Sequence, residues 1–410
     1  MEKKFLFLLD YLPPLVSANG ICVERIMHEI RKHFECFSVS FSNETNIVDE
    51  TNFFIPLRPW DRIVKVSQKL RKNNPLLYCL VRFLIVVKKC LMMPFWPVFS
   101  FSTVYNFYKK GVFCVQKKNV THVIAVSYPG ESLFALVFLK IRFRKKLKTI
   151  MYPLDVSLGG KFNGSAIEKS FSVVSSRLFY KFCAFFSDMI IVLENTQDLY
   201  KKTLSEKAWK KASLCGIPLV QNFNFSKSKI DLKSIYDLRF VYGGNIDSRV
   251  RNPVPLFDFL DNQSKKDSRK INVDIYGVVD SAARQELQSR YKYLKINYCG
   301  WVDEQTLNTA ILNSSALLSV GNNVGHLIPS KIFKYMSMNR PIIHLCAIKE
   351  DPCIPYLKKY GHSLLLYETR TSFDDNLFEW ICNNNLLDVN CSELFPQCTP
   401  EYTAQVIEHI

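Results

Sequence analysis

Short apolar runs bounded by turn residues alternate along the chain with longer stretches whose apolar positions fall three and four apart. This is the rhythm of βαβ units and parallel sheets. In the first half it predicts strands over Phe5–Leu9, Phe37–Phe41, His122–Ser127, Thr149–Tyr152 and Met189–Leu193, with helices over Cys22–His33, Glu131–Ile141 and Ile167–Phe186. In the second half it predicts strands over Arg239–Tyr242, Asn272–Tyr276, Ile296–Cys299, Ala316–Val320, Pro341–Leu345 and Ser363–Leu366. Gly216–Lys229 has no period and is rich in Pro, Asn and Ser, so it reads as a linker. The expected class is α/β, with a first domain over 1–215, a linker over 216–236, a second domain over 237–395 and a terminal helix within 396–410. Thr399-Pro400-Glu401 opens that helix, and Val406 and Ile410 stand one turn apart in it.

Composition agrees with a folded chain. Of 410 residues 48% are hydrophobic and 22% charged, enough apolar surface to offset the entropy of ordering two domains. The thirteen cysteines are odd in number and never spaced C-x-x-C, which points to a reducing compartment and small core side chains and offers no zinc or redox motif. The apolar start Phe5–Leu9 ends at Asp10, too short for a leader, and reads as a buried strand. Leu76–Phe101 is the longest apolar stretch, but Arg82, Lys88 and Lys89 interrupt it, so no clean transmembrane helix is expected.

Charge changes the picture more. The net charge is +17, and from Arg58 to Lys148 nineteen Lys and Arg face only Asp61 and Glu131. That stretch alone carries the whole excess. Its bases are interleaved with Trp60, Tyr78, Phe83, Phe95, Trp96, Phe99, Phe101, Tyr105, Phe107 and Tyr108. Such a mixture suits a surface lying on an anionic bilayer, bases at the phosphates and rings at the headgroups. Two plainer readings stand beside it: many of these apolar side chains belong to the core, and a basic surface also attracts an anionic glycan. No nucleic-acid-binding motif accompanies the charge, so nucleic acid is not an expected partner.

The candidate chemistry gathers at strand ends. After Ala316–Val320 the chain reads Gly321-Asn322-Asn323-Val324-Gly325-His326-Leu327-Ile328, then Pro329-Ser330-Lys331-Ile332-Phe333-Lys334-Tyr335-Met336: strand, glycine-containing loop, helix start. The first helical N–H groups at Ser330 form a seat for an anion. Lys331 has the wrong sign for a first turn unless an anion sits there, the alternative being a solvated lysine. Tyr242-Gly243-Gly244-Asn245-Ile246 ends another strand in two glycines that admit a ligand, followed by Arg249 and Arg251, either phosphate clamps or a solvated basic loop. In the first half, Asn19-Gly20 begins a helix, and Asp155 follows a strand end as a candidate general base or hydroxyl partner, or as a turn cap. His122 and His326 stand near strand ends, where a structural role is as ready as a catalytic one. G-x-G-x-x-G, H-E-x-x-H and G-x-S-x-G are all absent.

These residues resemble a glycosyltransferase of the GT-B architecture, close to the family-four and family-one-like bacterial sugar transferases. Asn19-Gly20 through Glu24-Arg25 is similar to the Gly-Gly-x-Glu-Arg opening loop. Gly216-Ile217-Pro218 is similar to the interdomain crossing, and Gly243-Gly244-Asn245 with Arg251-Asn252-Pro253 to the donor-phosphate loop. Cys299-Gly300-Trp301-Val302 is similar to the segment bordering the nucleotide base. Gly321-Asn322 with Pro329-Ser330-Lys331-Ile332-Phe333-Lys334-Tyr335-Met336 and Pro341-Ile342-Ile343 is the most specific match. Retaining members carry two glutamates eight positions apart, the second holding the donor ribose; His326 and Lys334 stand there in this chain.

The resemblance implies two Rossmann-like domains facing each other across a cleft, with the C-terminal helix returning to the first. It implies transfer of a sugar from a nucleotide-sugar donor to a lipid-linked or glycan acceptor in bacterial surface polysaccharide synthesis. No metal or other cofactor is required, and the protein lies peripherally on the cytoplasmic face of the membrane. Donor contacts fall to Gly243, Gly244, Asn245, Arg251, Trp301, Val302, Asn322, His326, Ser330, Lys331 and Lys334. Acceptor contacts fall to Asn19, Gly20, Glu24 and Asp155, with catalysis at Asp155 and Lys331. A nucleotide-sugar epimerase on the same fold, or a non-catalytic partner protein, are the alternatives.

Overall fold

Central strands of this chain are apolar on both faces. Phe5–Leu8, the whole of His122–Val126 and Ile190–Leu193 are buried without alternation, as strands covered by helices on both sides must be. The computed structural model describes residues 2–12, 17–42, 49–58, 60–61, 63–64, 67, 74–127, 129–154, 158, 166–223, 237–248, 250–267, 269–368, 376–384 and 388–410. The chain divides into two compact units, Met1–Pro218 together with Pro400–Ile410, and Leu219–Thr399.

Unit 1 is a seven-stranded parallel sheet in the order β3-β2-β1-β4-β5-β6-β7. Its strands are β1 Lys4–Leu8, β2 Glu35–Ser42, β3 Asn52–Pro56, β4 His122–Val126, β5 Lys148–Tyr152, β6 Met189–Leu193 and β7 Ala212–Cys215. The helices that matter below are α1 Ala18–Ile30, α2 Pro75–Met92, α3 Phe101–Lys117, α4 Gly130–Phe143 and α5 Ala166–Phe186. The core joins Leu6, Leu8, Val39, Phe41, Phe107, Leu136, Met151, Tyr180 and Val192.

Unit 2 is a six-stranded parallel sheet in the order β10-β9-β8-β11-β12-β13, built from β8 Leu238–Gly243, β9 Ile271–Tyr276, β10 Leu294–Gly300, β11 Ala316–Val320, β12 Ile342–Cys346 and β13 Ser363–Tyr367. Its helices include α6 Val254–Asp267, α7 Ser281–Arg290, α8 Glu304–Leu312, α9 Lys331–Ser337 and α10 Ile354–Tyr360. Phe240, Tyr242, Phe257, Ile275, Val320 and Ile343 lie in its core. The last helix, α11 Pro400–Glu408, belongs to unit 1, where it packs on α1 and its Glu408 carbonyl accepts from Lys3 Nζ at 2.5 Å.

The sequence pattern leaves out β3 and β7. Both are edge strands, only five and four residues long and mostly partly buried, so neither stands out as a core strand, although β3 itself reads Phe53-Phe54-Ile55. The first base of the charged stretch is also not a surface group. Arg58 Nη2 lies 3.1 Å from Glu131 Oε2, whose carboxylate also accepts the Phe99 N–H at 2.9 Å, and the guanidinium stacks 4.9 Å from the Phe99 ring. Arg58 and Glu131 therefore form an internal ion pair that ties the entry of α4 to residues 58–99, and Arg58 offers no contact to an outside anion.

Candidate functional site

In both sheets the strand order reverses between the first and fourth strands, β1 with β4 and β8 with β11. Open α/β sheets bind ligands at the carboxyl edge beside such a reversal, because the two flanking loops diverge there. In unit 2 the reversal lies between Gly243, the last residue of β8, and the Gly321-Asn322 turn after β11. Lys331 and Arg251 converge at this edge.

Lys331 opens α9, and its Nζ is buried without a hydrogen-bond partner, 3.1 Å from the centroid of the Tyr242 ring. Arg251 Nε donates to Asn322 Oδ1 at 2.8 Å and Nη1 to the Asn245 carbonyl at 2.9 Å. Among the described residues no carboxylate pairs with either cation. Burial, reinforced by the nearby Arg251 charge, holds the Lys331 ammonium well below its ordinary pKa. The spacing left open whether Lys331 is a solvated lysine; the structure places it inside, aimed at the strand end. Two adjacent cations with no anion are suited to an oxygen dianion such as a diphosphate.

The glycines act differently from the sequence expectation. Gly243 N–H donates to Tyr335 Oη at 2.7 Å and Gly244 N–H to the Tyr276 carbonyl at 2.6 Å, so neither is offered to a ligand. Gly244 instead supplies a φ of +136°, and a side chain there would project toward the Lys331 ammonium, 3.9 Å away. Asn245 is a brace: its Oδ1 accepts the Val278 N–H at 2.8 Å. Ser330 caps α9 with helical backbone angles and no side-chain capping bond, and α9 has only seven residues. Its dipole is correspondingly weak, so the positive potential at this edge comes mainly from the Lys331 and Arg251 side chains.

The remaining predicted residues surround this pair. Asn322 Nδ2 donates to the Leu327 carbonyl at 2.8 Å and folds the loop that carries His326. His326 is half-buried, and burial lowers its pKa, which keeps the imidazole neutral. Lys334 Nζ bonds Glu304 Oε1 at 2.9 Å, so the cation at that position is already matched by a carboxylate from the start of α8. Trp301 and Val302 follow β10, the outer strand beyond β9, and Trp301 is 74% exposed.

Beneath the Gly321 turn lies a group the sequence did not suggest. A Cβ on Gly321 would stand 2.0 Å from Asp351 Oδ2, and that carboxylate meets His344 Nε2 at 3.3 Å. Burial works to raise the Asp351 pKa, but His344 and the Cys353 N–H outweigh it and the value is lowered. Donor atoms of His344, Cys346 and Asp351 lie within 4.8 Å of one another, all buried. Each residue is unremarkable alone, and only the packing of β12 against the following loop assembles them.

In unit 1, Asn19 Nδ2 reaches the Ser127 carbonyl at 3.5 Å across the reversal between β1 and β4. Gly20 does not present its N–H to a substrate, because Ser17 Oγ takes it at 2.8 Å as the cap of α1; a Cβ there would stand 1.9 Å from the Tyr11 carbonyl oxygen. Glu24 is exposed on α1. Asp155 lies outside the described residues. The sequence reading passed over Asp10, a buried carboxylate just past the end of β1 that accepts from Ser17 Oγ at 3.0 Å. Its signal was a charged residue closing an apolar run. His122 begins β4, at the opposite edge of the sheet from the reversal loops; burial, then the Lys3 and Lys148 charges, lower its pKa to about 4, and its role is structural.

The chain is similar over its full length to the solved structure of lipopolysaccharide outer core galactosyltransferase WaaB in its apo form, at 14% identity and a TM-score of 0.56, covering 99% of this chain and 98% of that one. It is similar to TarM at 9% identity and a TM-score of 0.56, covering 99% and 95%. The fold is GT-B. A third GT-B relative in shape is S. aureus MnaA solved with UDP, at 9% identity and a TM-score of 0.50, covering 99% and 95%. No protein-family model matches the sequence, and no curated protein matches it. Identities this low carry the GT-B architecture and nothing about the reaction.

Proposed function

We propose that this GT-B protein transfers a sugar from a nucleotide-sugar donor to a lipid-linked or glycan acceptor at an anionic membrane surface, in bacterial surface polysaccharide synthesis, without a metal. The observation that carries the reading is the buried Lys331 ammonium beside a partly exposed, hydrogen-bonded Arg251, neither paired with a carboxylate among the described residues, at the reversal of the unit 2 sheet. As the anomeric bond breaks, negative charge grows on the departing nucleotide diphosphate. A desolvated lysine and an arginine held in place by Asn322 and the Asn245 carbonyl stabilise that charge where it develops. Protonation of Lys331 is unfavourable in the empty site and becomes favourable when the diphosphate arrives, so the ligand restores the lysine charge. Gly244 leaves the lysine uncovered, Asn322 aims the arginine, Ser330 keeps a hydroxyl free of capping, and Trp301 and Val302 offer an apolar edge to the base. Neutral His326 and the Lys334–Glu304 pair take the place of the family's two glutamates toward the sugar and ribose.

The acceptor side is supported by the surface of unit 1. Helix α2 has no buried residue, and α5 exposes Phe171, Val174, Leu178, Phe182 and Phe185 along one stripe. With Arg82, Lys89, Lys109, Lys110, Arg177 and Lys181 around them, these rings and aliphatic chains suit an anionic bilayer. Among the described residues no helix is long and apolar enough to cross a membrane, so contact of this kind is peripheral. The placement at the cytoplasmic face follows from the same reading.

The test is calorimetric titration with a panel of nucleoside diphosphates and their sugars, followed by transfer of a labelled donor. Lys331→Ala with Arg251→Ala should weaken the preferred diphosphate by about a hundredfold or more, since each charged contact is worth about 1.5–3 kcal/mol. Transfer by the folded double variant at near the wild-type rate would overturn the proposal.

A further inference from the structure

Helix α2 is unusual in having apolar side chains on opposite faces. Leu76, Leu80, Phe83, Leu84, Val87 and Leu91 recur at helical spacing and form one outward stripe, Leu76 being 83% and Leu91 69% exposed. On the other side Ile85, Lys88 and Met92 turn inward over a cavity of about 230 Å³, whose walls also include Trp60, Val64 and Trp96. The helix thus roofs a space it does not fill. A second apolar cavity of about 240 Å³ shares Trp96 and runs toward Leu178 and Phe182 of α5.

The charge at the rim is selective. Lys89 is matched by Glu168 at 3.2 Å, whereas Lys88 has no carboxylate partner among the described residues and rests its ammonium 4.8 Å from the Trp60 ring. Burial lowers the Lys88 pKa, with Arg58 adding to the effect and Asp61 and Glu131 opposing it. A half-open, mostly apolar space walled by Trp60, Trp96 and Phe99, with one unmatched cation at its edge, has the chemistry of an amphiphile site: hydrocarbon within, an anionic head at the lysine.

We propose that the cavity beneath α2 takes one hydrocarbon chain of a phosphate-headed membrane lipid, with Lys88 at the phosphate and the outer stripe of α2 set into the bilayer from which the chain enters. The helix itself carries Arg82, Lys88 and Lys89 and no acid, and its outer stripe is exposed, so charge and apolar surface both match an anionic lipid better than a protein partner. The inference rests on the membrane-acceptor reading above, because it names where such a lipid is held. It does not depend on the donor seat, which lies in the other unit.

Trp60 and Trp96 line the cavity, so their fluorescence reports its occupant. Dodecyl phosphate added below its micellar concentration should bind saturably and shift that emission, while inorganic phosphate neither shifts it nor competes. Lys88→Glu should weaken dodecyl phosphate by about tenfold or more. Ile85→Trp, which fills the space from a partly exposed position, should abolish binding in a protein with unchanged circular dichroism. Leu80→Ser with Leu91→Ser should leave dodecyl phosphate binding intact and reduce binding to phosphatidylglycerol vesicles. The proposal is overturned if dodecyl phosphate does not bind, if both cavity variants bind it like wild type, if dodecyl maltoside binds equally well, or if the stripe instead drives dimerisation. Lost dodecyl phosphate binding beside intact nucleotide-sugar binding sinks the lipid site alone, and the converse sinks the transferase reading alone.

Discussion

In unit 2, the Lys331 ammonium is drawn into the protein beside a partly exposed Arg251, with no carboxylate among the described residues to pair with either, whereas in unit 1, helix α2 holds hydrocarbon out in solvent with no core to cover it. Both arrangements cost the ligand-free protein stability, for opposite reasons. A buried charge has lost water and gained no partner; an exposed leucine keeps water it would favourably shed. The two regions also differ in what they select. Two fixed cations demand an anion of particular size and place, while a stripe of aliphatic chains accepts any apolar medium and is tuned only by the bases around it. The nineteen bases of the Arg58–Lys148 stretch therefore say less about chemistry than the two cations of unit 2.

The contrast is sharpest beside a cation that does have its partner. Glu131→Gln would take from the largely buried Arg58 its carboxylate partner at 3.1 Å, Asp61 standing 4.0 Å away and half exposed, and should destabilise the protein by about 3 kcal/mol in urea denaturation. A loss below about 1 kcal/mol would mean that burial does not make pairing matter here, and the distinction between Arg58 and Lys331 would collapse. Lys331→Met should act in the opposite direction, stabilising the ligand-free protein by about 1–2 kcal/mol while removing diphosphate binding. The pH dependence follows from the lowered pKa: between the folded-state value and the unfolded value of about 10.4, the unfolded state binds more protons. Wild-type stability should thus rise with pH across that window, and the variant should lack the rise. Denaturation midpoints across alkaline pH decide this, and a destabilised Lys331→Met protein would show the lysine to be a structural member. The smallest effect on stability belongs to unit 1. Leu80→Ser with Leu91→Ser should change it by no more than about 0.5 kcal/mol, while flotation with phosphatidylglycerol vesicles falls toward the level seen with phosphatidylcholine. A large loss of stability would show that the stripe is packed in the free protein.

Much of the fold was legible because the central strands are apolar on both faces: Met189–Leu193 and Ala316–Val320 coincide residue for residue with β6 and β11. Edge strands such as Asn52–Pro56 were not, since they are short, only partly buried and paired on one side. Spacing also drew attention to Lys331 and Arg251, because a strand, a glycine turn and a base in a first helical turn form a local pattern. What it could not reveal was burial: Tyr242 lies 89 positions before Lys331, and only the sheet brings its ring under the ammonium. The same limit hid His344 and Asp351, and it hid that Ser17, Tyr335 and Tyr276 occupy the N–H groups of Gly20, Gly243 and Gly244, positions read as letting a ligand approach the backbone.

Helix α11 bears on how the molecule is made. It docks on α1 of unit 1, yet its residues are translated after the whole of Leu219–Thr399. Unit 2 is one continuous segment, whereas unit 1 cannot complete its packing until Pro400–Glu408 has been made. Until then the face of α1 that α11 covers stands open, and α1 is the helix that carries Asn19 and Glu24. A nonsense codon near residue 400 would therefore spare the diphosphate seat and damage the opposite end of the gene product.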